Sequence, residues 1–346
     1  MPASKPPTLQ LVQVFRGAAA LLVMLYHVGQ VNHFYFPFAG NVFKWGHSGI
    51  DFFFVLSGFI MLFVHYERAG DAPYAGRFLA LRAIRIYPIY WCVLAVTVAM
   101  VWAHPPPPDN QWAPPSTLAA PTLIHAALLY GQQHDAIVPV AWTLTYELAF
   151  YGFFATYLLF GARAFTVLAL VWSGLIALQW AGLVDLGSHP VLLRPLVLEF
   201  LLGCVAALAV RRWTPHRVSG WWVLAAVGTV LAVAYGELVE AIDGYTWWWA
   251  PYFVLILAGA AYDHARRRRY PRLLVLLGEA SYVIYLIHYG MVVVFARTID
   301  AYRPTASLAP NLTLSLLAIA IVVTGIAVHL TIERPLLAWA RRRLGR

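Results

Sequence analysis

Residues 9–31 read LQLVQVFRGAAALLVMLYHVGQV and form the first of a series of long apolar stretches in a chain of 346 residues. A stretch of about 20 apolar residues is long enough to cross the hydrocarbon core of a bilayer as a helix. Hydrophobic residues make up 61% of the chain and charged residues only 11%, well below the roughly 25% of an ordinary soluble domain. This composition excludes a soluble globular protein and a disordered chain, and it indicates an integral membrane protein.

Similar apolar stretches recur along the chain, and we expect about ten transmembrane helices in one bundle. They lie at residues 9–31, 50–65, 84–103, 141–160, 165–183, 195–210, 221–237, 247–262, 274–295 and 312–332. A further stretch at 118–130 is too short to cross and is predicted to be a re-entrant or interfacial segment. The sequence thus predicts an all-α integral membrane fold, with residues 1–346 forming a single transmembrane domain and no appended soluble domain.

The basic residues select the orientation of these helices. With ten crossings and a cytoplasmic N-terminus, only four of the 24 Lys and Arg residues lie on the outer side, namely Lys44, Arg194, Arg297 and Arg303. A crossing at 118–130 would move Arg163 and later residues to the other side and remove this bias. Because basic residues accumulate in cytoplasmic loops, both termini are predicted to be cytoplasmic. The net charge of +9 has the same explanation, so no nucleic-acid partner is expected.

Two ionisable residues, Arg16 and His27, lie within the first apolar stretch. An ionisable side chain at the membrane centre costs about 2.5–3.5 kcal/mol, so each one requires an explanation. Their spacing corresponds to about three helical turns, which places both on one face of a helix. Arg16 alone could extend its charged group to the interface, and His27 alone could join two helices by a hydrogen bond. Together they predict a polar track that begins near the cytoplasm and ends at an imidazole.

Motifs along nearly the whole chain resemble, in order, the landmarks of the membrane acyltransferase 3 family. The first is VFRGAAALLVMLYH at 14–27, which holds Arg16 and His27 separated by ten residues. The others are GHSGIDFFFVLSGFIM at 46–61, RFLALRAIRIYPIYW at 77–91, AWTLTYELAFY at 141–151, LGEASYVIYLIH at 277–288 and IERPL at 332–336. The chain departs from the family at Thr143, where Ser is commoner, but Thr keeps the hydroxyl.

The resemblance implies an integral-membrane O-acyltransferase similar to the enzymes that modify exopolysaccharides. It implies transfer of an acetyl or other acyl group from acyl-coenzyme A, a donor substrate and not a permanently bound cofactor. The implied acceptor is a hydroxyl of a bacterial surface polysaccharide or of its lipid-linked precursor, and the implied location is the bacterial inner membrane. No metal site is expected, because His47 and Asp51 have no further ligands nearby in the sequence. The sequence implies no particular oligomeric state.

Three residues are candidates for the chemistry that the resemblance implies. His27 is expected to act as a general base, or as a nucleophile that carries the acyl group, because neutral imidazole accepts protons with an ordinary pKa of about 6.5. Asp51 and Glu147 are the candidate carboxylates that orient the imidazole and stabilise its charged form. Each carboxylate could instead be a structural partner of a cation or of a backbone amide.

Three arginines are candidates for binding the donor. A guanidinium group binds phosphate through two parallel hydrogen bonds and keeps its charge, so Arg16, Arg82 and Arg85 are expected to hold the phosphates of acyl-coenzyme A. The alternative for Arg82 and Arg85 is a plain basic anchor that sets the topology. Among the other polar residues in apolar stretches, His288 is expected to be a hydrogen-bonded core histidine.

The competing interpretation is a transporter or flippase for a lipid-linked sugar. Transporters often contain inverted repeats and pairs of helices that Gly or Pro interrupts at matching positions. The sequence shows no such symmetry. The enzyme interpretation is therefore favoured.

Overall fold

The computed structural model describes residues 9–35, 43–103, 119–130, 136–187, 191–212, 249–266, 269–302 and 310–344, with isolated residues between 220 and 228. All regular structure in these residues is helical. The α-helices are α1 (Gln10–Tyr35), α2 (Gly49–His65), α3 (Ala72–Ala103), α4 (Ala120–Leu128), α5 (Trp142–Trp180), α6 (Leu196–Arg212), α7 (Trp249–Arg266), α8 (Arg272–Glu279), α9 (Ser281–Tyr302), α10 (Pro310–Val328) and α11 (Arg334–Leu344).

Six helical segments of the described residues are long and apolar enough to cross a membrane. They are Gln10–Gln30, Lys44–Arg68, Ala72–Ala103, Pro139–Trp180, Ser281–Thr298 and Leu312–Leu344. The expected all-α membrane fold is confirmed, whereas the count of ten crossings stays a prediction. Most of the apolar stretch 221–237 lies outside the described residues, as do the chain ends at 1–8 and 345–346.

The helices divide into two units. The first consists of Met1–Val23, Trp45–Ala69 and Pro195–Ser281, and the second of Met24–Lys44, Gly70–Arg194 and Tyr282–Arg346. In the first unit α2 packs closely against α6, because glycines on both helices let the backbones approach. A Cβ atom on Gly58 would lie 1.8 Å from the Phe200 carbonyl oxygen, and one on Gly203 would lie 1.9 Å from the Val55 carbonyl oxygen.

In the second unit α5 folds back on itself and so contains two antiparallel arms. The reversal occurs at Gly161, whose φ of 84° suits glycine. Across the reversal, the ring centroids of Phe153 and Trp172 are 4.4 Å apart. The arms at 142–160 and 162–180 are each about 28 Å long, enough to cross a bilayer. This break agrees with the separate apolar stretches that the sequence shows at 141–160 and 165–183.

The short helix α4 is anchored to α3 by three side-chain hydrogen bonds. Its last turn exposes carbonyl groups that have no partner within the helix. The Tyr90 hydroxyl donates to the Ala126 carbonyl at 2.7 Å, the Trp91 indole to that of Ala127 at 2.9 Å and the Tyr87 hydroxyl to that of Leu128 at 3.1 Å. A helix of nine residues is only about 14 Å long and does not span a bilayer. Its re-entrant or interfacial placement stays a prediction.

Candidate active site

His27 lies on α1 in the second unit, and its imidazole is half-buried among aromatic rings. The ring centroids of Tyr26 and Tyr289 lie 5.0 and 5.2 Å from that of His27, both in edge-to-face orientation. Such contacts restrict the ring without neutralising charge. The imidazole is therefore held in place but is not sealed from its surroundings.

The described hydrogen bond of the His27 ring is with a second histidine, His288 on α9. The Nδ1 atom of His27 and the Nε2 atom of His288 are 3.1 Å apart. His288 is fully buried, with 0% of its surface exposed. The other ring nitrogen of His288, Nδ1, lies 2.5 Å from the Tyr285 carbonyl oxygen. The expectation that His288 is a hydrogen-bonded core histidine is confirmed. One of its two hydrogen-bond partners is His27, the candidate base.

The hydrogen bond to Tyr285 determines which nitrogen of a neutral His288 ring carries the proton. A carbonyl oxygen can only accept, so His288 Nδ1 carries the proton and donates it. The Nε2 atom of the same ring is then an acceptor for His27 Nδ1–H. Tyr285 is itself fixed, because its hydroxyl lies 3.1 Å from the Val140 carbonyl oxygen and 3.0 Å from the Thr143 hydroxyl. The Thr143 hydroxyl therefore helps to hold the Tyr285 side chain in place.

Glu147, Arg82 and Arg85 come together in the same unit. The Arg82 guanidinium lies 5.3 Å from the ring centroids of both Phe78 and Tyr151, where a cation interacts favourably with the π-systems. The Tyr151 hydroxyl donates a hydrogen bond to Glu147. Arg85 interacts electrostatically with the Glu147 carboxylate. The two arginines expected to bind the donor and one of the two expected carboxylates therefore form one cluster.

Glu333 also belongs to this cluster, although it was not among the candidate site residues. It interacts electrostatically with Arg85, and its Oε2 atom lies 2.6 Å from Nδ1 of His329. Both residues are buried in a π-helical turn between α10 and α11, a local geometry that is frequent at functional sites. In the sequence, Glu333 could have been identified from the IERPL motif at 332–336. His288 could have been identified from the motif at 277–288.

Asp51 and Arg16 belong to the first unit. The Asp51 side chain is hydrogen-bonded to Glu199, and it interacts electrostatically with His47 and Tyr252. Two carboxyl groups can share a hydrogen bond only if one of them carries a proton. Arg16 donates from Nη1 to Oε1 of Gln13, one turn earlier on α1, at 3.2 Å. The described partners of these two residues are thus different from those of His27.

These observations define a helical membrane protein with a histidine pair and a partly buried Arg–Glu cluster, and the comparisons with known proteins assign its family. The family model described as "Acyltransferase domain" matches residues 11–331. The chain belongs to this acyltransferase family and is an acyltransferase enzyme of the membrane type.

Two relatives cover nearly the full length of the chain. One is "Exopolysaccharide production protein ExoZ" of Rhizobium meliloti (strain 1021), which is 32% identical over 92% of this chain and 96% of its own. The other is "Acyltransferase MdmB" of Streptomyces mycarofaciens, which is 26% identical over 95% of this chain and 91% of its own. No solved structure matches the chain.

Proposed function

We propose that this enzyme transfers an acetyl group, or a similar acyl group, from acyl-coenzyme A to a hydroxyl of a bacterial surface polysaccharide or its lipid-linked precursor. The observation that supports this most strongly is the half-buried imidazole of His27, hydrogen-bonded through Nδ1 on a membrane helix of an acyltransferase. The relative named for exopolysaccharide production supports a polysaccharide acceptor.

In the proposed reaction His27 is the general base. Its Nε2 atom takes the proton of the acceptor hydroxyl while the hydroxyl oxygen attacks the thioester carbonyl. The carbon–sulfur bond then breaks, and the proton passes from Nε2 to the departing thiolate, which leaves as coenzyme A. One ester is formed and one thioester is consumed, so protons and charge balance. Direct attack by the imidazole to form an acyl-histidine is the second route open to the same nitrogen.

Glu147 and Asp51 are the proposed carboxylates of the site. A negative charge near His27 stabilises the imidazolium that forms during proton transfer. Glu147 interacts electrostatically with Tyr285, and the Tyr285 ring centroid lies 5.6 Å from that of His288. Glu147 therefore belongs to the same group of side chains as the histidine pair. Asp51, hydrogen-bonded to Glu199, is retained as a candidate to be tested separately.

Arg82 and Arg85 are the proposed ligands of the donor's phosphates, and Arg16 is proposed to assist them. Arg85 already interacts with Glu147 and Glu333. An incoming phosphate would therefore either share the Arg85 guanidinium with these carboxylates or displace them from it. Arg82→Ala and Arg85→Ala are expected to raise the KM for acyl-coenzyme A more than they lower kcat, because the phosphates lie far from the reacting carbon. Arg163→Ala is the matched control, since Arg163 is exposed and outside the cluster. An unchanged KM in both cluster variants would limit them to a structural or topological role.

The proposed location is the bacterial inner membrane, with both termini in the cytoplasm, where acyl-coenzyme A is available. This orientation follows from the distribution of basic residues. Cysteine labelling with a membrane-impermeant reagent at an introduced C-terminal site tests it. We expect labelling only after the membrane is opened, and labelling of intact spheroplasts would contradict the orientation.

The proposed activity is tested in membranes from cells that express the enzyme. Labelled acetyl-coenzyme A is added, and ester-linked label in the polysaccharide fraction is measured for the wild type, His27→Ala and His125→Ala. His125 is the control because it is an exposed histidine on α4. We expect transfer to be lost only in His27→Ala. Undiminished transfer in that variant would remove His27 from the chemistry, and sugar export without acetylation would favour a flippase.

A further inference from the structure

We propose that His288 is the positioning residue of the active site and fixes the tautomer of His27, the role that sequence reasoning gave to a carboxylate. The inference rests on the proposed function of His27 as a base. It is carried by the hydrogen bond of 3.1 Å between the two rings and by the contact of 2.5 Å between His288 Nδ1 and the Tyr285 carbonyl.

The tautomer follows step by step from the hydrogen-bond partners. The Tyr285 carbonyl requires a proton on His288 Nδ1, and a neutral imidazole carries only one such proton. His288 Nε2 therefore presents a lone pair, and His27 must donate to it from Nδ1. The proton of the neutral His27 ring is thus on Nδ1, and the lone pair is on Nε2. This is the tautomer that a base acting through Nε2 requires.

The anchoring of His288 makes this assignment specific. Its acceptor is a backbone carbonyl of its own helix, which a side-chain rotation cannot remove. The ring is completely buried, so water does not compete for either nitrogen. The Tyr285 hydroxyl is hydrogen-bonded to the Val140 carbonyl oxygen and the Thr143 hydroxyl. These two hydrogen bonds connect α9 to the beginning of α5. His288 therefore offers the same nitrogen to His27 throughout the reaction.

The pair also accommodates the charge that forms on His27. When Nε2 takes the acceptor's proton, the ring becomes an imidazolium, and the hydrogen bond from Nδ1 to His288 becomes charge-assisted and stronger. Proton release then occurs from Nε2 to the thiolate, because the hydrogen-bond chain behind His288 ends at the Tyr285 carbonyl. A carboxylate partner would add a full negative charge, whereas His288 supplies direction with no net charge.

Two substitutions separate a positioning role from a purely structural one. His288→Gln retains an amide oxygen able to accept from His27 Nδ1, whereas His288→Leu fills the space without an acceptor. We expect His288→Leu to lower kcat by about 100-fold or more with little change in the KM for either substrate, the scale of general-base catalysis. His288→Gln is expected to recover activity to within about 10-fold of the wild type, because the acceptor is restored.

The decisive readout is the tautomer itself, measured without activity. The chain contains 12 histidines, so ¹⁵N-histidine spectra of the protein in lipid are assigned by the signal lost in His27→Gln. We expect His27 of the wild type and of His288→Gln to carry its proton on Nδ1. In His288→Leu the Nδ1–H signal should decrease in favour of Nε2–H. Tyr285→Phe, which keeps the backbone carbonyl, should leave the tautomer of His27 unchanged.

The inference is overturned if His27 carries its proton on Nε2 in the wild type, or keeps it on Nδ1 in His288→Leu. Because these spectra are recorded on the folded protein without substrates, they do not depend on the reaction. Retained activity in His27→Ala would instead refute the proposed function and leave the tautomer result standing. The two failures are therefore distinguishable.

Discussion

The close approach of α2 and α6 makes a sharp prediction for Gly58→Ala. The added Cβ atom would lie 1.8 Å from the Phe200 carbonyl oxygen, whereas ordinary contact begins at 3.4 Å. The clash is with backbone, so no side-chain rotation relieves it, and the helices would have to separate by about 1.5 Å. Gly58 lies in the LSGF segment of the second motif at 46–61, and the structure gives that motif a packing role.

The expected cost follows from two opposing terms. Overpacking a well-packed site costs roughly 1–3 kcal/mol, and a backbone clash of this depth belongs at the upper end. Replacing glycine by alanine within a helix recovers at most about 1 kcal/mol. We therefore expect Gly58→Ala to lower the free energy of unfolding by about 2 kcal/mol or more.

Gly152→Ala on α5 provides the matched control, because a Cβ atom there would meet no other atom within 4 Å. This variant is expected to gain roughly 0.5–1 kcal/mol from helix propensity alone. Both free energies of unfolding are measured by titration with sodium dodecyl sulfate in detergent micelles. If Gly58→Ala were as stable as Gly152→Ala, the close packing of α2 on α6 would be wrong.

Two further predictions concern stability. Glu199→Gln should keep the hydrogen bond with Asp51, since its amide can donate, and should change the free energy of unfolding by under about 0.5 kcal/mol. Glu199→Ala removes the hydrogen bond and should cost about 1–3 kcal/mol. Equal losses in the two variants, measured by the same titration, would contradict the shared hydrogen bond. Tyr90→Phe should cost about 0.5–1.5 kcal/mol because it removes one of two donors to the buried Ala126 carbonyl, which also accepts from the Leu129 backbone N–H at 3.0 Å. Protease cleavage near α4 should accelerate, and cleavage at the wild-type rate would show that this anchor does not hold the short helix.

Within the described residues the sequence predicted most of the long helices, because long apolar stretches in a membrane protein have few structural options. The single stretch predicted at 274–295 instead contains two helices, α8 and α9, which are separated at Ala280. The sequence separated the two arms of α5, since the apolar stretches end and restart around Gly161. It also identified 118–130 as too short to cross, and a helix of nine residues is found there. These features depend on local composition and are therefore readable along the chain.

The partners of the polar residues were not predictable in the same way. His27 and His288 are 261 positions apart, and their contact depends on how α1 and α9 pack within the second unit. The sequence suggested a carboxylate for His27 because a carboxylate can hold one tautomer of a catalytic histidine and stabilise its imidazolium. Likewise, no spacing rule connects Asp51 to Glu199 or Arg85 to Glu333. The motifs contain Asp51, Arg85 and Glu333, whereas Glu199 lies in none of them.

The role of His27 in acyl transfer is tested most directly by binding and turnover of radiolabelled acetyl-coenzyme A by the purified enzyme in lipid nanodiscs. Wild type, His27→Ala and His125→Ala are compared, with folding checked by thermal unfolding. We expect saturable binding in all three, and slow hydrolysis of the thioester by water to acetate and free coenzyme A that is lost only in His27→Ala. Turnover by His27→Ala at the wild-type rate, or no binding by folded wild-type enzyme, would contradict it.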